Sequence, residues 1–208
     1  MKPAREFRTS QGRTDGTNAA YSGTQQTRTL WTSLQGWPTL AAIGFAGFVA
    51  FDMSSGVELA PILAASGLVY LGAAALQKPS TAWLLFLATV VVITAASIGV
   101  TDFNATWVLL GLSALFVGYG LIRGAVRPTT GLPLQTVAMV AFGGSAAIAL
   151  LVNEIVGAYL VAAGLLAHAG WDFYHHRANK VVVRSLAEFC FVLDTALAAA
   201  IVIVTVRG

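Results

Sequence analysis

The sequence predicts an all-α integral membrane protein, built as a bundle of about seven transmembrane helices. Of its 208 residues, 57% are hydrophobic and 10% are charged, whereas soluble domains carry about 25% charged residues. The apolar residues come in runs of about twenty, the length that crosses a hydrocarbon core about 30 Å thick. Because such a core offers the backbone no hydrogen-bond partners, each run must form a helix.

Residues 1–30 precede the first apolar run and differ from it in composition. Ser, Thr, Gln, Gly and Arg dominate them and little is left to bury, so we expect a disordered basic cytoplasmic tail. The segment lacks the apolar core and small-residue cleavage site of a secretory signal peptide. Its bases favour either contact with anionic headgroups or a solvated tail that sets the orientation. These bases are Lys2, Arg5, Arg8, Arg13 and Arg28.

A seven-helix transmembrane domain is predicted over residues 31–208. Its connections are short and contain turn residues, as at Lys78-Pro79-Ser80, so no further domain fits between the helices. The predicted spans lie at about 35–54, 57–76, 81–100, 105–123, 133–152, 155–174 and 185–206.

Lys and Arg are distributed unequally between the two sides of this bundle. With the N-terminus inside, eleven of the 12 bases fall on the cytoplasmic side and Arg207 alone falls on the other. Because cytoplasmic connections are enriched in bases, we expect the N-terminus in the cytoplasm and the C-terminus outside. The Ala, Gly and Val bias of the helices favours a multi-pass protein of a bacterial inner (plasma) membrane.

Polar residues inside the helices concentrate in the last two spans. In the sixth span, His168 and Asp172 are four residues apart, and His175 and His176 continue along the same face. Imidazole and carboxylate groups can therefore converge on one side of this helix.

Two carboxyl groups distinguish the seventh span. Glu188 lies one turn after Arg184 and is expected to pair with it. Asp194 shares a face with Cys190 and lies about 15 Å beyond Arg184, close to the bilayer midplane. An ionisable group there costs about 2.5–3.5 kcal/mol, so it normally faces a partner inside the bundle. The predicted polar intramembrane site comprises His168, Asp172, Glu188 and Asp194.

A strip of aromatic and basic residues connects the sixth and seventh spans. Trp and Tyr prefer membrane interfaces, and Lys and Arg attract anionic headgroups, so the strip is either an anchor or a headgroup-binding patch. It comprises Trp171, Tyr174, His175, His176, Arg177, Lys180 and Arg184.

His168 and Asp172 are open to different interpretations. Their helical spacing suits a zinc-like ion, although the pattern is not HExxH and no second histidine cluster completes the shell. A proton relay is an alternative, because His titrates near neutral pH and Asp194 lies deeper along the same route. Asp194 has a purely structural alternative, in which a Ser, Thr or Asn of a neighbouring helix binds its carboxyl group and holds the bundle together.

Sequence motifs of common soluble enzymes are absent from the chain, including the phosphate-binding glycine loop, the serine nucleophile elbow, CxxC and the dinucleotide fingerprint. No cofactor is predicted, and nucleic acid is not an expected partner. We expect a transporter or channel-like protein for a small solute, an ion or protons, with a polar path between the last two helices.

Two other functions fit the same residues. One is a membrane-embedded enzyme that acts on lipid headgroups at the cytoplasmic face, and the other is a non-catalytic accessory subunit. The expected partners are the bilayer and its anionic headgroups on the cytoplasmic side, with a homo-oligomer or a partner subunit in the membrane as further alternatives.

Overall fold

The fold is that of a computed structural model, which describes residues 36–51, 53–99 and 104–207. Within those ranges the chain is helical and has no β-strand. The described α-helices are α1 (Trp37–Phe51), α2 (Ala60–Ala75), α3 (Ala82–Ser97), α4 (Ala105–Ile122), α5 (Leu132–Ala149), α6 (Glu154–Ala178) and α7 (Arg184–Arg207). The all-helical prediction is confirmed for this part of the chain, while the predicted tail at 1–30 lies outside the described residues.

Six of these helices are long and apolar enough to cross a membrane. Short 3-10 turns at Gly56–Leu59 and Pro79–Thr81 lead into α2 and α3 and lengthen both spans. The remaining helix, α1, has 15 residues and is shorter than the span predicted at 35–54. The membrane character predicted from composition is therefore supported for six of the seven described α-helices, while α1 falls short of the predicted first span.

Helix α6 is longer than the span predicted at 155–174. It has 25 residues, which corresponds to about 38 Å at 1.5 Å per residue. Asn179 follows it in a left-handed conformation (φ 50°) and donates its backbone N–H to the carbonyl of His175. The polar residues after Tyr174 are therefore helical, so His175 continues the face that carries His168 and Asp172.

Helix α2 lies at the centre of the bundle. Every one of its residues except Ile62 is buried, and α3, α4, α5 and α6 pack around it. Small residues allow this approach: Gly67 faces Met139 and Gly164 of α6 faces Leu63. A helix that is apolar on all sides is expected to be enclosed in this way. Helix α7 packs along α6 for most of its length.

Successive helices run in opposite directions, so their ends meet at two faces. Trp83 donates a hydrogen bond to Ser185 at one face, where α3 and α7 begin. This face, here called the basic end, carries the bases Lys78, Arg123, Arg127, Arg177, Lys180 and Arg184. At the opposite face, here called the acidic end, Gly56 packs against Ala158 and Ile201.

Large apolar side chains cover the exterior of the bundle. Phe48, Leu84, Val137 and Leu115 are each about two-thirds exposed or more. The interior has the opposite character, since it is rich in Ala and Gly and contains buried polar groups. This distribution suits a bundle surrounded by lipid, where close contacts between helices rely on small residues.

Candidate functional site: a buried histidine and two carboxyl groups

Three polar side chains meet in the middle of the bundle, and together they are called the buried cluster. Nδ1 of His168 lies 2.9 Å from Oδ2 of Asp194 and 3.2 Å from Oδ2 of Asp172. All three residues have 0% relative exposure. One ring nitrogen of α6 is thus shared by a carboxyl group of its own helix and one of α7.

Helical periodicity explains how the chain brings these groups together. On α6, His168 and Asp172 lie one turn apart in the stripe that includes buried Leu165. On α7, Asp194 belongs to a buried stripe that continues to Ala198 one turn later. Since α6 and α7 pack along each other, the two stripes face and Asp194 reaches His168.

Tyr70 of the central helix α2 completes the surroundings of Asp172. Its hydroxyl donates a hydrogen bond to Oδ1 of Asp172 at 2.6 Å, and its side chain is fully enclosed. Its ring also packs edge-on against His168, with 5.3 Å between ring centroids, and Phe142 packs against the same imidazole at 4.8 Å. Rings on two other helices therefore fix the orientation of His168.

Among the described residues, two atoms of the buried cluster find no hydrogen-bond partner: Nε2 of His168 and Oδ1 of Asp194. Buried polar atoms are rarely left in this condition in folded proteins, because each one costs free energy. The cluster also combines two acidic groups with a single base. Its charge is balanced only when further protons or another cation join it.

A second group of polar residues, here called the closing layer, lies on the basic-end side of the buried cluster. Nδ1 of His175 lies 2.9 Å from the carbonyl oxygen of Trp171, so this nitrogen is the protonated donor. Nε2 then accepts a hydrogen bond from the Gln135 amide at 3.2 Å. The Gln135 oxygen in turn accepts one from the Trp171 indole at 3.3 Å. Gln135, Trp171 and His175 therefore form a closed ring of hydrogen bonds between α5 and α6, to which Trp171 contributes both its indole and its backbone carbonyl.

The remaining residues of the predicted interface strip lie at the basic end. Nδ1 of His176 lies 3.2 Å from the backbone carbonyl oxygen of Arg184. The Arg177 guanidinium lies 4.8 Å from the centroid of the Phe173 ring. Tyr174 is half exposed, and Lys180 is exposed in the connection between the helices.

Glu188 was predicted to pair with Arg184 and to share a site with His168, and the structure gives it other surroundings. Its Oε1 accepts a hydrogen bond from the Thr39 hydroxyl of α1 at 2.7 Å. Arg184 is the first residue of α7 and is exposed, whereas Glu188 points towards α1. The structure therefore does not bring Glu188 to the buried cluster.

Sequence reasoning did not identify Tyr70 or Gln135. Both are enclosed polar side chains on helices whose other residues are apolar apart from a few Ser and Thr. Gln135 is the only amide or charged residue within α5, and that isolation is the signal that could have found it.

A cavity of about 630 Å³ lies between α1, α2, α3 and α7. Glu58 and Asn104 line it at the acidic end, and Ser66 and Cys190 line it deeper in the bundle. Ser66 lies close to the carboxyl group of Asp194, and Cys190 lies one turn before Asp194 on α7. The cavity therefore extends from the acidic end to Ser66 and Cys190, and none of the three cluster residues lines it.

Comparison with known proteins adds no relative. No known protein family, curated protein or solved structure matches the chain. Any functional assignment therefore depends on the geometry of the buried cluster and its surroundings.

Proposed function

We propose that the chain is a membrane transport protein that binds a cation at the buried cluster and uses its movement for transport. The observation that supports this proposal is the sharing of one imidazole nitrogen by two fully buried carboxyl groups. A charged side chain at the bilayer centre costs about 2.5–3.5 kcal/mol, and such groups commonly mark ion or proton pathways. A bound cation offsets that cost by balancing the two acidic groups.

The depth of the cluster favours transport over chemistry on lipid headgroups. His168 is ten residues before the end of α6, and Asp194 is ten residues after the start of α7. At the helical rise, Asp194 lies about 15 Å from the start of α7, and His168 lies about 9 Å from Tyr174, where the apolar run of α6 ends. A headgroup at the membrane surface does not reach a site at that depth.

The surroundings of the cluster differ on its two sides, as a gated route requires. The cavity approaches Asp194 from the acidic end through Ser66. On the other side, the hydrogen-bonded closing layer separates the cluster from the basic end. Opening that layer while the cavity narrows gives the cluster access to each side in turn. The proposed route therefore involves α2 and α5 as well as α6 and α7.

We further propose that the basic end faces the cytoplasm of a bacterial inner membrane. The bases of three helix connections lie at that end, and bases concentrate in cytoplasmic connections. Labelling of a cysteine introduced at the basic end tests this orientation. In a Cys190→Ser background, Lys180→Cys is expected to react with a membrane-impermeant thiol reagent only after the cells are opened. Reaction in intact cells contradicts this orientation.

Flux through proteoliposomes tests the transport role. The full chain is reconstituted with internal reporters of protons, Na⁺ and zinc, and a gradient of each ion is applied in turn. Asp194→Asn keeps the shape of the side chain and removes its charge, so we expect flux to be lost while the elution profile stays monodisperse.

Glu188→Gln is the matched control, because it removes a carboxyl charge from the same helix outside the buried cluster. We expect its flux to equal that of the wild type. Equal flux in wild type and Asp194→Asn contradicts the proposal and favours an accessory subunit whose polar groups only hold helices together.

A further inference from the structure

We propose that the cation bound by the buried cluster is a divalent transition-metal ion of the Zn²⁺ class, held by His168, Asp172 and Asp194. This inference deepens the proposed function, on which it depends for the ion's movement, by naming the class of cation. It is supported by ligand spacing, unpartnered atoms, charge and the residues that orient the ligands.

The spacing of the ligand atoms suits a small metal ion. Metal–ligand distances of about 2.0–2.2 Å in tetrahedral geometry place neighbouring ligand atoms about 3.3–3.6 Å apart. Nδ1 of His168 lies 2.9 and 3.2 Å from the two carboxylate oxygens, and one ligand atom from each residue lies within 4.8 Å of the others. The two distances from Nδ1 of His168 would increase by about 0.1–0.7 Å to admit the ion.

Metal binding changes the position of the His168 proton. For Nδ1 to bind a metal, the imidazole must carry its proton on Nε2 instead. No described residue offers Nε2 a hydrogen-bond partner, so this N–H would need a water molecule as its acceptor. Among the described residues Oδ1 of Asp194 also lacks a partner, and this buried oxygen is available as an additional donor to the ion.

Charge selects a divalent ion. Two carboxylates and a neutral imidazole carry a charge of minus two, which a divalent cation neutralises and a monovalent cation does not. Imidazole is a preferred ligand of transition metals, whereas Mg²⁺ and Ca²⁺ favour all-oxygen shells of six or more ligands. The mixed nitrogen and oxygen set therefore favours the zinc class over the hard divalent cations.

Neighbouring residues orient the ligands as they do in known metal sites. Tyr70 binds Oδ1 of Asp172 and leaves Oδ2 directed at His168. Losing a hydrogen bond to a metal ligand typically weakens metal affinity by about 10–100-fold. Three protein ligands leave a fourth position for water or substrate, as catalytic zinc sites do.

Metal binding to the purified full chain tests the inference. The protein carries a tag without histidine, is stripped with chelator in detergent, and is titrated with Zn²⁺ and Co²⁺ by calorimetry and absorption spectroscopy. We expect one ion per chain, a tetrahedral Co²⁺ spectrum, and no competition by Mg²⁺ or Ca²⁺ at equal concentration.

Variants locate the ion. Asp194→Asn and His168→Gln are expected to weaken binding by at least about 100-fold, and Tyr70→Phe by about 10–100-fold, as the loss of an outer contact does. His176→Gln and Glu188→Gln, outside the cluster, are expected to bind as the wild type does. Tyr70→Phe keeps the test decisive if a ligand variant fails to fold.

The outcomes separate this inference from the proposed function. No stoichiometric binding by the wild type, or equal binding by wild type and His168→Gln, overturns the metal site. Flux of protons or Na⁺ without zinc binding also overturns it and leaves cation transport standing. Zinc binding without flux of any cation supports the metal site and overturns the transport role.

Discussion

Replacing Tyr70 by Phe isolates one hydrogen bond at the buried cluster. The change removes only the hydroxyl that donates to Oδ1 of Asp172 at 2.6 Å and leaves the ring packing on His168 in place. Interhelical hydrogen bonds in membranes average about 0.6 kcal/mol, with values up to about 1.7 kcal/mol. Hydrogen bonds to charged groups contribute about 1.5–3 kcal/mol. Because this donor and its acceptor are both fully buried, we expect a loss of about 1.5 kcal/mol, at the upper end of the membrane range.

Reversible unfolding in mixed micelles measures this loss. The free energy of unfolding is determined for the wild type, for Tyr70→Phe and for Tyr119→Phe, which removes the same hydroxyl from a partly exposed position on α4. We expect Tyr119→Phe to stay within about 0.5 kcal/mol of the wild type, as surface substitutions do. Equal effects of the two substitutions would refute the assignment of Tyr70 as the partner that fixes Asp172.

Three further predictions concern the cavity, the packing of α6 and the polar contact of α1. Cys190 lines the cavity, so Cys190→Leu, which adds bulk to the cavity wall, is expected to lower flux, while Cys190→Ser retains it; full flux from Cys190→Leu argues against the cavity as the route. Gly157→Ala is expected to lower the free energy of unfolding by about 1–3 kcal/mol, because its Cβ would lie 2.5 Å from the backbone oxygen of Ala149. Gly144→Ala, whose Cβ would meet open space, is expected not to lower it. Thr39→Val is expected to cost about 0.5–1.5 kcal/mol in the same unfolding assay and to leave zinc binding unchanged, since its hydroxyl donates to Glu188 outside the buried cluster; weakened zinc binding would place that pair in the site.

The helices could be predicted from the sequence because lipid imposes a length and a composition on each one. The residues at which the helices end were harder to predict, as α6 shows. Its last residues include His175 and Arg177, whose polarity ends the apolar run although the backbone remains helical to Ala178. Hydropathy reports where the lipid-facing part stops, whereas the helix continues until Asn179 adopts a left-handed conformation.

The site was harder to predict than the helices. Periodicity placed His168 and Asp172 on one face, and depth marked Asp194 as a buried group that needs a partner. The partner itself depends on how α6 and α7 pack, which the spacing of residues along one helix does not show. For the same reason Glu188 was assigned to Arg184, its neighbour along the helix, whereas its hydrogen bond comes from Thr39, 149 positions away.

Charge movement on a solid-supported membrane tests most directly whether a cation enters the buried cluster. A rapid zinc jump at neutral pH is expected to give a saturable transient current from wild-type proteoliposomes and from Glu188→Gln. The same jump is expected to give none from Asp194→Asn, whose cluster has lost one of its two carboxylates. Identical currents from wild type and Asp194→Asn, or none from the wild type, would contradict the entry of zinc into a site at His168, Asp172 and Asp194.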